Sequence, residues 1–192
     1  MSDVPAPAGS PYDEWGRLTR FFQSARIAFA RERDMWASRS IDAAERVRIS
    51  SPEASYTVAL QKHINAIDDA EMLHGFVLVH SYALAESAAA DRLTVPPRSL
   101  GGIEDWGAQL LSTNDRDWTD VEGGLGGAVE VAITRNAIAH GSRTIDAAAR
   151  ERLLKAGARV MPVGTVVTLT YTELNEFRGR LLSLMNESGI GR

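Results

Sequence analysis

The stretch from residue 127 to residue 139 restricts the fold of this chain more than any other, because it is largely apolar and yet ends in polar side chains. Such a run predicts a helix that is buried on most of its surface. Arg135, Asn136 and His140 need partners there, since an unpaired buried charge is expensive. Gly141 is the residue type that ends a helix in the left-handed conformation. His140 is therefore expected at a helix C-terminus, which suits both acid–base chemistry and a purely structural histidine.

Composition limits the classes of protein to which the chain can belong. Its 192 residues suffice for one domain with a real core, and 44% hydrophobic and 24% charged residues are ordinary globular proportions. The absence of cysteine excludes disulfides, thiolate zinc sites and a cysteine nucleophile. The first residues carry no signal-peptide pattern, and no apolar run is long enough to span a bilayer. We therefore expect a soluble, cytoplasmic protein with no membrane partner.

Charge is distributed unevenly along the chain. The net charge is −4, but residues 135–159 contain six basic and two acidic side chains, which leaves −8 for the remainder. A local positive surface next to the polar end of the apolar helix could bind phosphate groups. It could equally be a solvated helix face of mixed charge. If it binds phosphate groups, the candidate contacts are Arg143, Arg150 and Arg152.

Periodicity and capping signals predict a mostly helical chain with one small β-hairpin. Residues 1–10 are predicted to be a disordered tail, and residues 11–192 a single helical domain. Residues 159–161 and 165–169, separated by a Pro-Val-Gly break, predict the hairpin near the C-terminus. The predicted helices cover residues 12–39, 51–67 (with Ser51 as the cap), 68 or 69 to 93, 100–112, 119–139 (opened by a capping box at Thr119 and Glu122), 144–156 and a last helix from Thr170.

Three details of these helices bear on packing. The first helix has a seam of large apolar residues expected in the core, namely Trp15, Leu18, Phe22, Phe29 and Trp36. The glycines at 123, 124, 126 and 127 predict close approach of a neighbouring helix or of a second copy of the chain. Glu86 lies within the apolar pattern of the third predicted helix, where it either faces solvent or forms the buried partner of Arg135.

The segment Arg135-Asn136-Ala137-Ile138-Ala139-His140 resembles the motif of the HEPN superfamily, the higher eukaryotic and prokaryotic nucleotide-binding domains, in its ribonuclease branch. The preceding helix with its internal glutamate (Tyr82 to Glu86), a tryptophan-containing linker, and the predicted trailing hairpin and helix extend the similarity over roughly residues 70–187. The resemblance implies a HEPN-like helical bundle. One departure is Ser142, where some members carry a tyrosine, so a mechanism that depends on that tyrosine is not expected here.

The resemblance also implies a chemistry, which is metal-independent cleavage of RNA without a cofactor. His140 would act as general base on a ribose 2′-hydroxyl or as acid on the leaving oxygen. Arg135 would hold the phosphate, Asn136 would bind the phosphate or orient the histidine, and Glu86 would have a supporting role. The other three histidines, at positions 63, 74 and 80, are interpreted as ordinary interior or surface residues rather than metal ligands.

Helix geometry adds an expectation about assembly. At 100° per residue Asn136 and His140 lie within about 40° of each other, whereas Arg135 is about 140° from His140. One straight helix does not direct both Arg135 and His140 at one phosphate, so either the last turn unwinds before Gly141 or a second copy of the chain supplies the missing half. Because HEPN proteins commonly dimerise with their motifs facing each other, a symmetric homodimer is expected.

The resemblance favours an endoribonuclease that acts as a toxin or antiphage effector, whose partner could be an antitoxin or a nucleotidyltransferase-like protein. The alternatives are a non-catalytic HEPN-type module that binds nucleotide, RNA or another protein, and an unrelated helical scaffold.

Overall fold

The computed structural model describes residues 9–190, and within that range the chain is mainly helical with one two-stranded antiparallel sheet. This confirms the predicted fold class at the level of a helical protein with a small hairpin. The elements are α1 (Pro11–Ala37), β1 (Arg46–Ser50), β2 (Ser55–Ala59), α2 (Leu60–Ile67), α3 (Ala70–Leu93), α4 (Ile103–Ser112), α5 (Gly124–Ala139), α6 (Ala147–Lys155) and α7 (Tyr171–Glu187).

Helix α3 is the centre of the bundle, since α1, α4, α5 and α7 all pack against it. It begins after Asp69, whose carboxylate accepts the Met72 amide hydrogen, and ends at Thr94 in the left-handed conformation (φ 56°). Gly75 permits the contact with α5, because a Cβ at this position would lie 2.9 Å from Ile138 Cγ2. Burial of its side chains therefore stabilises most of α3, and the side-chain cap of Asp69 stabilises its start.

Two of the predicted helix starts lie where the sequence placed them. Thr170 and Glu173 form the capping box that opens α7, with Thr170 Oγ1 accepting from the Glu173 amide at 3.2 Å. Ser10 and Asp13 form a similar box at the start of α1. Ser10 therefore belongs to a helix cap rather than to the predicted tail, and residues 1–8 of that tail lie outside the described residues.

The prediction of a β-hairpin near the C-terminus is wrong in position. The hairpin lies in the middle of the chain, where β1 pairs with β2 in register from Arg46 opposite Ala59 to Ser50 opposite Ser55. Residues 51–54 form its turn, so the helix predicted from Ser51 begins only at Leu60. Trp36, Val47 and Leu60 form a small separate apolar cluster that attaches the hairpin to α1 and α2.

Residues 165–169, predicted to be the second strand of that hairpin, form an isolated bridge at Val166 instead of a strand, and they hydrogen-bond with the residues that follow α5. The Ile145 amide donates to Thr165 O at 3.0 Å, and the Val167 amide donates to Arg143 O at 2.8 Å. Val167 is 5% exposed, so the segment is held by burial as well as by hydrogen bonds. This pairing fixes the loop between α5 and α6.

Helix α5 begins later than predicted, because the capping box expected at Thr119 and Glu122 is absent from the structure described. Residues 118–120 form a short 3-10 turn capped by Asp117, and α5 starts after Gly123 (φ 76°). A Cβ at Gly126 would lie 3.1 Å from Ala158 Cα, so this glycine permits close approach within the chain. Helix α6 is likewise shorter than predicted and begins after Asp146.

The predicted core seam of α1 is largely observed. Trp15, Leu18, Phe22 and Trp36 are buried, whereas Phe29 is 37% exposed. Within residues 9–190, none of the helices combines the length and the apolar character needed to cross a membrane.

Candidate functional site

Helix α5 ends at its polar side chains, next to Gly141, as the sequence predicts. His140 is the C-cap residue (φ −90°, ψ 0°), and its amide donates to Asn136 O at 3.0 Å. Gly141 follows in the left-handed conformation (φ 71°), and the Arg143 amide then donates to Ala137 O at 3.0 Å. The helix therefore stops at the histidine, and the chain turns back beneath it.

A cleft of about 320 Å³ lies between this helix end, the following loop and α6. Asn136 and His140 both line it, as expected from their angular separation of about 40°. His140 is exposed, and within residues 9–190 its imidazole forms no hydrogen bond, so neither ring nitrogen is already committed to a protein partner. The other lining residues are Ile133, Ala137, Ser142, Thr144, Asp146, Ala148, Ala149 and Arg152.

Arg135 points away from the cleft and toward α3. Its guanidinium lies 4.9 Å from the centroid of the Tyr82 ring, and its Nη2 lies 3.7 Å from Glu86 Oε2. Its Nη1 donates to Asn136 Oδ1 at 2.8 Å, whereas its Nε is buried without a partner among the described residues. Asn136 is thus the residue that connects Arg135 with the cleft.

The bond from Arg135 fixes the orientation of the Asn136 amide. Because Oδ1 of Asn136 already accepts a hydrogen bond from Arg135, its Nδ2 group supplies the donors that remain. A donor next to a free imidazole on one cleft wall is suited to bind an anion.

Tyr82 lies beneath the guanidinium of Arg135. It is 5% exposed, and burial, together with the carboxylate of Glu86, raises the pKa of its phenol to about 12. The phenol therefore stays protonated at neutral pH. Tyr82 supports Arg135 as a neutral aromatic face.

Arg152 reaches the cleft from α6 but is already paired. Its Nε and Nη2 each donate to a Glu104 carboxylate oxygen at 2.6 Å, a two-pronged arrangement. These bonds lower the pKa of Glu104 and raise that of Arg152. The guanidinium of Arg152 is therefore held at the edge of the cleft, and the carboxylate of Glu104 largely neutralises its charge.

The three arginines predicted to contact phosphates differ in their surroundings. Arg143 pairs with Glu71 at 3.1 Å, Arg152 pairs with Glu104, and Arg150 is exposed without a partner in the described part of the chain. Only Arg152 of the three lines the cleft. The positive segment seen in the sequence is therefore partly neutralised by carboxylates from distant parts of the chain.

Three polar cleft residues were not predicted from sequence, namely Ser142, Thr144 and Asp146. Asp146 carries a local signal that could have identified it, because its carboxylate caps α6 by accepting from the Ala149 amide at 2.7 Å. Thr144 has no such signal. Its place follows from the bridge that it forms with Val166, a tertiary contact.

The remaining histidines have individual surroundings. His63 is 3% exposed and bonds to Tyr56 and Glu32, His74 is 7% exposed and bonds to Leu169 O, and His80 is exposed. Across residues 9–190, no group of three or more histidine or acidic side chains is arranged to hold a metal ion.

The ion pair between Glu86 and Arg135 is partly exposed, so its loss should cost little. The two side chains are 31% and 24% exposed, and the closest atoms are 3.7 Å apart. We expect Glu86→Ala to lower the free energy of unfolding by no more than about 1 kcal/mol, as is typical of accessible pairs. Urea denaturation would measure this change.

Glu130 provides the matched control, because it is only 13% exposed and lies 2.8 Å from Arg180. Glu130→Ala should reduce stability more than Glu86→Ala does. A loss of about 3 kcal/mol or more in Glu86→Ala would instead mean that Glu86 is an essential buried counter-ion.

Comparisons with protein-family models, with curated proteins and with solved structures found no significant match to the chain.

Proposed function

We propose that the protein is a HEPN-type endoribonuclease that cleaves RNA without a metal ion, with His140 and Asn136 in the cleft and Arg135 behind them. One observation carries the proposal. At the end of α5 the cleft brings together the imidazole of His140, which has no hydrogen-bond partner among the described residues, and the amide of Asn136, which Arg135 orients. The motif resemblance supplies the reaction type. A role as a toxin or antiphage effector belongs to the same proposal.

In the proposed reaction, His140 takes the proton of a ribose 2′-hydroxyl. The 2′-oxygen then attacks the neighbouring phosphorus, and the bond to the 5′-oxygen breaks as that oxygen takes a proton from water, while His140 returns its own proton to the solvent. The products carry a 2′,3′-cyclic phosphate and a 5′-hydroxyl. Asn136 Nδ2 would donate to a phosphate oxygen, where negative charge increases in the transition state.

Arg135 has three ways to contribute in this proposal, two within one chain and one across a dimer. It could leave Glu86, since that pair is 3.7 Å apart and partly exposed, or it could act through Asn136, which it already orients. In a symmetric dimer, the Arg135 of one copy could instead reach the cleft of the other. The second copy is part of the site only on this last route.

The dimer is an independent prediction. Light scattering at tens of micromolar should give about twice the 20.9 kDa mass of the chain. The glycines at 123–127 no longer support this prediction, because Gly126 packs against residues 156–158 of the same chain and Gly127 against Arg180. A measured mass of one chain would remove the shared-site mechanism and leave the single-chain route through Asn136.

The direct test is incubation of labelled RNA with the purified protein in excess EDTA. We expect cleavage to continue, with products that end in a 2′,3′-cyclic phosphate. Complete inhibition by EDTA, restored by a divalent ion, would contradict the proposed chemistry.

A non-catalytic binding module is the second candidate, and the pairing of the arginines favours it. Arg135 and Arg152 already have carboxylate partners, so the cleft presents little uncompensated positive charge for a phosphodiester. On this alternative the cleft would bind nucleotide, RNA or a partner protein without cleaving RNA. Gel retardation of RNA without cleavage products would favour this alternative.

A further inference from the structure

We propose that Tyr56 is a nucleophile that accepts an acyl group from an activated ester, at a site separate from the α5 cleft. Its hydroxyl oxygen lies 2.6 Å from His63 Nδ1, and His63 Nε2 lies 2.9 Å from Glu32 Oε1. A nucleophile, a base within hydrogen-bond reach and a third group that orients the base are the parts of an activated side-chain nucleophile. None of the three residues lines the α5 cleft, so the proposal does not depend on whether the protein cleaves RNA.

Three different elements bring these side chains together. Glu32 lies on α1, Tyr56 on β2 and His63 on α2. Helix α2 begins at Leu60, directly after β2, and the Leu60 amide donates to Glu45 O at 2.9 Å. The start of α2 is therefore held against the chain that leads into the hairpin. This places Tyr56 over the imidazole of His63.

The carboxylate of Glu32 determines which ring nitrogen of His63 carries the hydrogen. A carboxylate only accepts, so Nε2 donates to it, and a neutral imidazole then has its lone pair on Nδ1. Tyr56 donates its hydroxyl hydrogen to that lone pair. The phenol is therefore held against a base that can take its proton.

The base is buried, whereas the nucleophile is open to solvent. His63 is 3% exposed and Tyr56 is 52% exposed. Trp36 Nε1 donates to the same Glu32 oxygen at 3.3 Å, and the Trp36 ring meets the imidazole edge-on. These contacts hold the imidazole in one orientation, while a molecule in solution can reach the phenol oxygen.

The attachment of the hairpin does not account for the exposed phenol. The apolar cluster of Trp36, Val47 and Leu60 already joins the hairpin to α1 and α2. Tyr56 is not a member of that cluster, and water competes for the hydrogen bond of an exposed hydroxyl. A role in chemistry explains why the phenol is both exposed and bonded to a buried base.

The charges around Tyr56 favour an uncharged electrophile over a phosphate. Side chains alternate between the two faces of a strand, and Tyr56 lies opposite Ile49 in register. Arg46 and Arg48 occupy the alternate positions of β1, so they lie on the other face of the hairpin. The charged group bonded to the imidazole is Glu32, which repels an anion. An uncharged ester meets no such repulsion.

The proposed step transfers the acyl group without another reactant. The hydroxyl proton of Tyr56 moves to His63 Nδ1 as the phenol oxygen bonds to the carbonyl carbon of the ester. The bond from that carbon to the alcohol oxygen then breaks, and the departing oxygen takes the proton from Nδ1. The products are an acyl ester of Tyr56 and a free alcohol, with the imidazole neutral again.

The test is incubation of the full chain with p-nitrophenyl acetate, followed by peptide mass spectrometry to locate the acetyl groups. We expect acetylation of Tyr56 to be about 10²-fold or more faster than that of Tyr171, as a positioned base allows. Tyr171 is the matched control, because it is also exposed and its hydroxyl accepts from Gln23 instead of contacting a base. Hydrogen bonds from Asn175 and Gln23 lower the pKa of the Tyr171 phenol, so acidity alone would favour Tyr171.

Glu32→Gln separates activation from anchoring. Glutamine keeps an acceptor oxygen for His63 and Trp36 but removes the charge, so a purely structural role predicts acetylation at the parent rate. We expect this variant to acetylate Tyr56 about tenfold or more slowly, with unchanged thermal stability. Equal rates at Tyr56 and Tyr171 in the parent chain would overturn the proposal, as would the parent rate at Tyr56 in Glu32→Gln.

Discussion

Replacing His140 with alanine should reduce RNA cleavage by about 10²–10⁴-fold, the range that a positioned acid–base group contributes. The imidazole is exposed at a helix end, so its removal opens no cavity in the core. The variant should therefore keep the helical content and thermal stability of the parent chain. The measurement is the single-turnover rate with labelled RNA in EDTA, together with circular dichroism of both proteins.

His80→Ala is the control for this experiment, since His80 is also exposed but lies on α3 and does not line the α5 cleft. It should cleave RNA at the parent rate. Arg135→Ala is expected to lower the rate by a factor comparable to that of His140→Ala, because it removes either the phosphate contact or the group that orients Asn136. Undiminished cleavage by His140→Ala would end the ribonuclease interpretation of the cleft.

Replacing Phe22 with alanine should lower the free energy of unfolding by about 3–5 kcal/mol. Phe22 is completely buried, and its ring meets His74 edge-on with the centroids 5.8 Å apart. Its loss leaves a cavity between α1, α3 and the start of α7, which the helices can fill only in part. Urea denaturation followed by circular dichroism would give the difference.

The neighbouring Phe21 offers the matched control, because it has the same chemistry but is 53% exposed. Phe21→Ala should change the stability by no more than about 1 kcal/mol. Equal losses in the two variants would contradict the packing of α1 described above.

The parts of the fold that sequence predicts are those specified by local interactions. The cap at Thr170 and the start of α3 at Asp69 both depend on side chains that bond within three residues of themselves. The helix cap predicted at Ser51 is wrong for the same reason. Its hydroxyl accepts from the amides of Glu53 and Ala54, as a helix cap would, but the bonds close a hairpin turn.

Local sequence signals do not identify which two segments of the chain hydrogen-bond to each other. The prediction of a hairpin strand at residues 165–169 is wrong, since these residues bond to the loop after α5 and nothing in a β-branched run specifies which segment it joins. The residues of the candidate site fall into the same two groups, those that local signals predict and those that tertiary pairing brings in. Asn136 and His140 were placed on one face by helix periodicity, whereas Thr144 enters the cleft only through that distant pairing.

The pairing of residues 143–145 with residues 164–167 also has a consequence for synthesis of the protein on the ribosome. Three backbone hydrogen bonds hold the loop beside His140, and each joins it to a residue about twenty positions later: Gly164 to Ile145, Ile145 to Thr165, and Val167 to Arg143. A nascent chain that has formed α5 and α6 but has not yet exposed Val167 lacks those bonds. This wall of the cleft therefore forms late in synthesis. A ribosome-bound fragment contains the segment from Arg135 to His140 before the cleft is complete.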